Sequence, residues 1–273
     1  MAEPHQGVPD PRELLEIARS VVRPAAELAV AMRDAGVGEV STKTTDTDVV
    51  TAADRAVERQ AVAALRRARP GDAVLGEEGS TVAATGSRVR WILDPIDGTV
   101  NYLYGLPLYA VSLAAEVDGV AVAGVVRNAT SGEEWTAIRG RGAYRDGRRL
   151  TGSRVTDFGH ALLGTGFAYD PARRAHQAAV LAALLPHVRD VRRMGAAALD
   201  LCLTAEGALD VYYEKGLSLW DHAAGGLVAA EAGLRVTGLA GAPPGPDLVI
   251  AAPPALYDEL HERLVALDAA GGP

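Results

Sequence analysis

Acidic residues at short, fixed spacing are the most reactive feature of the 273-residue sequence. The central one is the run Trp91-Ile92-Leu93-Asp94-Pro95-Ile96-Asp97-Gly98-Thr99-Val100-Asn101. Its apolar start reads as a strand that delivers Asp94 to its end, and Pro95 disfavours helix at Asp94 and holds the turn rigid. The two aspartates are three positions apart, so a tight turn could aim both carboxylates at one point, with the Ile96 carbonyl as a third oxygen between them. Gly98 and Thr99 then present backbone N–H groups at the start of a short helix closed by Gly105, a position suited to a phosphate. Hard oxygen ligands beside an anion site suit Mg²⁺, which binds through a few carboxylates, waters and substrate phosphate. Taken alone, Asp-Pro-x-Asp-Gly is equally a surface turn.

Two further acidic elements weigh against that plainer reading. Gly76-Glu77-Glu78-Gly79 follows a short apolar segment, and Trp220-Asp221-His222-Ala223-Ala224-Gly225-Gly226 opens a helix whose first turn is nearly all small residues. Separately, Glu77-Glu78 would be a solvated pair and Asp221 a helix cap. Together with the central run they can form one cation-binding pocket.

These pieces, with Asp48-x-Val50-Thr51-x-Ala53-Asp54, resemble the inositol monophosphatase family of lithium-sensitive, magnesium-dependent phosphatases, over residues 10–268. The resemblance implies a layered αβαβα sandwich of the α/β (α+β) class. It also implies two to three Mg²⁺ ions per site. Glu77, Asp94 and the Ile96 carbonyl would hold one ion, and Asp94, Asp97 and Asp221 a second, with Asp94 bridging. Thr99 and Asp54, with Glu77, become the catalytic residues that orient and deprotonate the attacking water. Gly98, Thr99, Glu214 and Asp221 become the substrate contacts, Glu214 facing inositol hydroxyls. Direct attack by water without a phosphoenzyme is expected. Five carboxylates brought together would repel a phosphate dianion, and divalent cations reverse that local charge.

The sequence departs from the family pattern at a few places. Ala196 stands where relatives often carry Ser or Thr, and Tyr102 where Phe is frequent. His222 is expected to pack rather than ligate. Lys43 aligns with a lysine near the site. The glycines of Gly164-Thr165-Gly166-Phe167 either allow close backbone approach or end a strand. Histidinol phosphate, a sugar phosphate or a nucleotide phosphate remain alternative substrates, because the metal and phosphate residues bind what all of these share. A regulatory binding protein that kept the fold is a rival of another class.

The elements that must position these residues are read from periodicity. Residues 1–10 read as a disordered tail. A helix starts near Pro11, its apolar face Leu14, Leu15, Ala18, Val21 and Val22, with Pro24 expected to kink or interrupt it and Gly36 and Gly38 to end it. After a polar loop over 41–48, a second helix runs from about 51 to 69. Strands come next at 89–93, 109–117 and 120–126, the last two joined by the hairpin signal Asp118-Gly119. A further strand lies at 134–138 and a turn at 145–148. Helices alternate with strands from 162 to 267, which gives layers of helix and sheet. One domain over 11–268 is expected, divided near 155, with a flexible tail at 269–273.

Composition agrees. Hydrophobic residues make up 48% and charged residues 23% of the chain, as in a globular protein. The net charge of −8 disfavours nucleic acid as a partner. No run of about 18 apolar residues could span a membrane, and no signal peptide opens the sequence. The lone Cys202 allows no intrachain disulfide, so a cytoplasmic location is expected. By resemblance the protein is a homodimer.

Overall fold

A computed structural model describes residues 9–37, 40–42 and 49–273. Gly38, Lys43, Asp48 and the first eight residues of the expected tail lie outside the described residues.

The chain opens with helix α1 (Pro11–Asp34), capped by the Asp10 side chain with Pro11 in its first turn. Pro24 does not break it. The buried stripe Leu14, Ala18, Val21, Val22, Ala25, Ala26 and Ala29 runs on both sides of the proline. Packing along that whole face offsets the roughly 3 kcal/mol that an interior proline costs. A short antiparallel pair, β1 (Val40–Thr42) and β2 (Val49–Thr51), flanks the region expected as a polar loop. Helix α2 (Ala52–Ala68) comes directly after it.

The first large sheet then forms from β3 (Ala73–Gly76), β4 (Thr81–Val82), β5 (Val89–Asp97), β6 (Ala110–Val117), β7 (Val120–Asn128), β8 (Glu134–Ile138), β9 (Gly142–Arg145) and β10 (Arg148–Arg149). Its order is β10-β9-β8-β7-β6-β5-β3-β4, antiparallel except where β3 runs parallel to β5. Helix α3 (Thr99–Tyr104) lies between β5 and β6. The β6–β7 hairpin turns through Asp118 and Gly119, whose φ values of 51° and 84° are those a two-residue type I′ turn requires.

The second sheet contains β11 (Leu162–Thr165), β12 (Asp190–Arg192), β13 (Val211–Glu214), β14 (Arg235–Thr237) and β15 (Val249–Ala252), in the order β12-β11-β13-β15-β14. Helices α4 (Pro171–Leu184), α5 (Ala197–Glu206), α6 (Leu219–Glu231) and α7 (Pro254–Ala266) alternate with these strands.

Three apolar clusters define the layers. One joins α1 and α2 to one face of the first sheet through Trp91, Leu93, Val111, Leu113 and Val125. A second puts α5 and α6 between the sheets, touching Ile92, Ala114 and Val126 on one side and Tyr212, Val249 and Ala251 on the other. The third packs α4 and α7 on the outer face of the second sheet. Alternate residues of β6 point to opposite clusters, and all eight are buried, as a strand covered on both faces requires. This is the expected αβαβα sandwich.

Residues 269–273, expected to be a flexible tail, make hydrogen bonds to the body. Lys215 Nζ donates to the carbonyls of Ala270, Gly271 and Gly272, and Arg173 Nε donates to the Pro273 carbonyl at 3.0 Å. Among the described residues no helix is long and apolar enough to cross a membrane.

Candidate active site

Asp94 and Asp97 both lie within β5, not in a turn after it. Asp94 pairs with Ser112 and Asp97 with Ala110, so three steps on β5 match two on β6. That extra residue is a β-bulge at Pro95-Ile96. A bulge re-aims side chains and tolerates a proline that cannot donate to the ladder. It brings both aspartates to one side of the strand, which strict alternation would forbid. Asp94 Oδ1 accepts from the Ile96 amide at 3.1 Å, which fixes the bulge from within.

Asp221 arrives from α6. It closes a capping box with Ser218, whose amide donates to Asp221 Oδ2 at 2.6 Å. The plain reading of Asp221 as a cap is therefore correct and does not displace the other one. One carboxylate oxygen each from Asp94, Asp97 and Asp221 lies within 4.8 Å of the others. Glu77, from the turn after β3, is in hydrogen-bond contact with Asp94.

Asp97 also joins the two halves of the molecule. Its Oδ1 accepts from the Ala197 amide at 3.1 Å and its Oδ2 from the Ala198 amide at 2.7 Å. These are the first amides of α5, whose N-cap, Ala196, has no side chain able to cap. An aspartate a hundred residues away in sequence supplies the missing cap.

Gly98 has φ 93°, and a Cβ there would lie 2.9 Å from the Leu108 carbonyl oxygen and 3.1 Å from the Ala196 methyl. Only glycine fits at this junction of β5, α3 and the Gly195 loop. Gly98 caps α3 without a side chain, leaving the first-turn amides at the edge of the cavity. Thr99 Oγ1 lies 3.2 Å from both Asp54 Oδ1 and the Ile96 carbonyl. The buried Asp54 is held by α2's own capping box, its Oδ2 accepting the Thr51 amide at 2.7 Å.

Glu214, at the end of β13, lines the same cavity, whose volume is about 650 Å³. A Cβ on Gly166 would lie 2.1 Å from the Glu214 carboxylate, so that glycine permits close approach. Tyr212 donates to Glu214 Oε2 at 2.6 Å. Glu77, Asp94, Ile96, Asp97, Gly98, Thr99, Glu214 and Asp221 all border this cavity, and Asp54 stands behind Thr99.

Burial, then the neighbouring charges of Glu77, Asp97 and Asp221, push the Asp94 carboxyl well above its usual value. Asp221 is raised well above it too, by burial and then by Glu77 and Asp97. Asp97 is pushed up to about 7, chiefly by burial, although the Ala197 and Ala198 amides pull it back. Burial also raises Glu214, against the Tyr212 hydroxyl and Arg193. A group of buried acids that raise one another in this way is an unfavourable arrangement without a cation. Its donors are all oxygens, and 4.8 Å or less is close to the separation of two oxygens across one hard cation, about 4–5 Å. The residues therefore fit a hard divalent ion.

His222 is buried behind Asp221 and lowered to about 4 by that burial, so it packs as a neutral ring. Cys202 is fully buried, and burial raises its thiol well above the usual value, which makes it inert packing.

Two supports escaped the sequence reading. Tyr212 carries Glu214, and its signal was only the alternation of the Tyr212-Tyr213-Glu214 strand. Asn101 Nδ2 donates to the carbonyls of Leu108 at 2.7 Å and Met194 at 2.8 Å, bracing the loops on either side of Gly98. Its place in the motif marked it, but its partners are distant in sequence.

The chain is similar to known proteins over almost its whole length. The profile described as the inositol monophosphatase family matches residues 10–269. The inositol-1-monophosphatase of Mycobacterium leprae is 47% identical over 274 residues, covering 93% of this chain and 94% of that one. The Nus factor SuhB of Pseudomonas aeruginosa is 42% identical over 199 residues, covering 71% and 73%. The solved structure of Mycobacterium tuberculosis SuhB superposes with a TM-score of 0.82 at 41% identity, covering 97% of this chain and all of that one.

Proposed function

The chain belongs to the inositol monophosphatase family, and from that premise we propose that it is a Mg²⁺-dependent phosphatase that hydrolyses a small phosphate monoester, myo-inositol monophosphate first among them. The observation that carries this reading is the convergence of Asp94, Asp97 and Asp221 within 4.8 Å, with Glu77 against Asp94. We assign Glu77, Asp94 and the Ile96 carbonyl to one ion, and Asp94, Asp97 and Asp221 to a second. A third ion near Glu77 would complete the set. Such ions supply an activated water and stabilise charge on the phosphoryl and leaving oxygens.

The chain's own residues do the rest. The Gly98 and Thr99 amides bind phosphate oxygens. Asp54, with no donatable proton in its ionised form, accepts the Thr99 hydroxyl. That leaves the Thr99 Oγ lone pairs to accept a proton from a water in front of it, so water, Thr99 and Asp54 form a line along which a proton can pass. Glu214 accepts hydrogen bonds from substrate hydroxyls, with one oxygen held by Tyr212. A polyol satisfies such an acceptor well. Histidinol phosphate, sugar phosphates and nucleotide monophosphates are the competing substrates.

Phosphate release from this panel, with and without Mg²⁺ and with lithium, tests the reading. Preference for inositol monophosphate, dependence on Mg²⁺ and inhibition by lithium are expected. Asp94→Asn and Asp221→Asn should each abolish turnover, and full activity in either would sink the metal assignment. A cytoplasmic homodimer belongs to the same proposal; the single cysteine suits a reducing compartment, and solution mass checks the dimer.

The Pseudomonas relative's name favours one second reading, a regulatory partner of the transcription machinery. Retention by RNA polymerase at physiological salt, in a protein without phosphatase activity, would favour it.

A further inference from the structure

Beneath the Glu77 turn lies a carboxylate that the proposed mechanism does not use. Glu58, on α2, is 2% exposed. Its Oε2 accepts the Glu78 amide at 2.8 Å and its Oε1 the Ser80 amide at 3.0 Å. The turn is closed from the other side as well. The Gly76 amide donates to the Ser80 carbonyl at 2.8 Å, and the Glu77 amide donates to the Leu93 carbonyl at 3.2 Å. No space is left between turn and helix, since a Cβ on Gly76 would lie 2.3 Å from Glu58 Oε2.

Burying a carboxylate is costly unless charge-assisted hydrogen bonds compensate it. Here both oxygens are spent on a single five-residue turn, and Glu77 directly precedes the first of the two anchored amides, that of Glu78. Glu77 lines the cavity together with Asp94, Asp97 and Asp221, so where its carboxylate sits depends on how the turn is held. Glu58 also stands one helical turn after Asp54, so one face of α2 holds both the Thr99 partner and the base of the Glu77 turn.

We infer that Glu58 is the positioning residue of Glu77: it pins the 76–80 turn so that the Glu77 carboxylate is presented to the cation beside Asp94. The inference rests on the proposed assignment of Glu77 as a metal ligand. Glu58→Gln keeps the shape but turns an amide NH₂ toward a backbone N–H, so one of the two anchors is lost.

The test is calorimetric Mg²⁺ binding to substrate-free protein, with folding checked by circular dichroism and melting without metal. Glu58→Gln is expected to weaken Mg²⁺ binding about 10- to 100-fold, the usual effect of losing a group that orients a ligand. Glu77→Gln should weaken it at least as much. The double variant should bind no more weakly than Glu77→Gln alone, because Glu58 acts through Glu77. Gly76→Ala, which forces a methyl against Glu58, should reproduce the loss and serves in place of Glu58→Gln if that variant folds poorly. Turnover at saturating Mg²⁺ should recover in Glu58→Gln with an unchanged KM for inositol monophosphate. Wild-type Mg²⁺ affinity in folded Glu58→Gln, or losses that add in the double variant, would overturn the inference while leaving the metal assignment standing. Unchanged Mg²⁺ binding in Glu77→Gln would instead remove the assignment beneath it.

Discussion

At the scale of single residues, the site is built from groups that are each held for two reasons. Asp221 caps α6 and Asp97 caps α5, while both face Asp94. Thr99 links Asp54 to the Ile96 carbonyl. Removing the Thr99 hydroxyl should therefore slow the chemical step more than binding. Thr99→Ala is expected to lower kcat about 10²- to 10⁴-fold, the range for a lost proton-transfer partner, with little change in KM. Steady-state kinetics at saturating Mg²⁺ checks this, and a loss confined to KM would contradict it.

The acid cluster also carries a pH signature. Asp94, Asp97 and Asp221 are raised in the folded protein, Asp97 to about 7, whereas an unfolded aspartate ionises near pH 4. Between those values the metal-free folded protein holds protons that the unfolded chain has released. The sign of linkage is then that stability falls as pH rises through the window from about 4 to about 7. A cation that binds the ionised cluster reverses the loss. The rise in Tm on adding Mg²⁺ should grow from about pH 5 to about pH 8, measured by thermal melts with Mg²⁺ and with chelator. A Mg²⁺ effect independent of pH would contradict the cluster's titration.

At the scale of elements, each one that reaches the site ends there. The bulge of β5 turns two aspartates inward, α2 and α6 each start with a capping box whose acid serves the site, Asp54 behind Thr99 and Asp221 at the cavity, and α5 starts on Asp97. Because Ala196 cannot cap α5, Asp97→Ala should cost about 0.5–2 kcal/mol of stability even in metal-free protein, as read by denaturant melts. Asp97→Asn keeps an acceptor for one amide and should cost less. Equal stability of Asp97→Ala and wild type without metal would argue that the amides are satisfied otherwise. Gly98→Ala combines a positive φ with contacts at 2.9 and 3.1 Å, so a loss of about 1–3 kcal/mol is expected, with displacement of the first amides of α3.

At the scale of the whole molecule, α5 and α6 are shared between two sheets, and the cluster around them touches both. The two halves should therefore unfold together. A single transition, coincident by circular dichroism and tryptophan fluorescence, is expected. Two separated transitions would show halves that fold independently. The acids also come from both halves, Glu77, Asp94 and Asp97 from the first and Glu214 and Asp221 from the second. Mg²⁺ should accordingly raise the Tm of the whole transition.

The sequence by itself determined the classes of element and marked the candidate donors of the site. Helical and strand periods and the Asp118-Gly119 turn are set by local pattern, because buried faces repeat along the chain, whereas the order of the layers was implied by the family resemblance. The acidic motifs named the candidate donors, because few side chains offer hard oxygens beside a glycine-opened helix. Tertiary structure decided what depends on residues far apart meeting. Asp94 and Asp97 share a side through a bulge, not a turn, and that bulge is set by pairing with β6. Asp97 serves as a cap only because α5 is laid against β5. Pro24 stays inside a helix because a continuous core covers both sides of it. The C-terminal residues meet Lys215 and Arg173, contacts that sequence spacing does not encode. Glu58 was half visible, a charge on the buried stripe of α2 with Val57, Ala61 and Leu65. Local pattern could mark it as misplaced, but its partner amides across the fold are what give it a role.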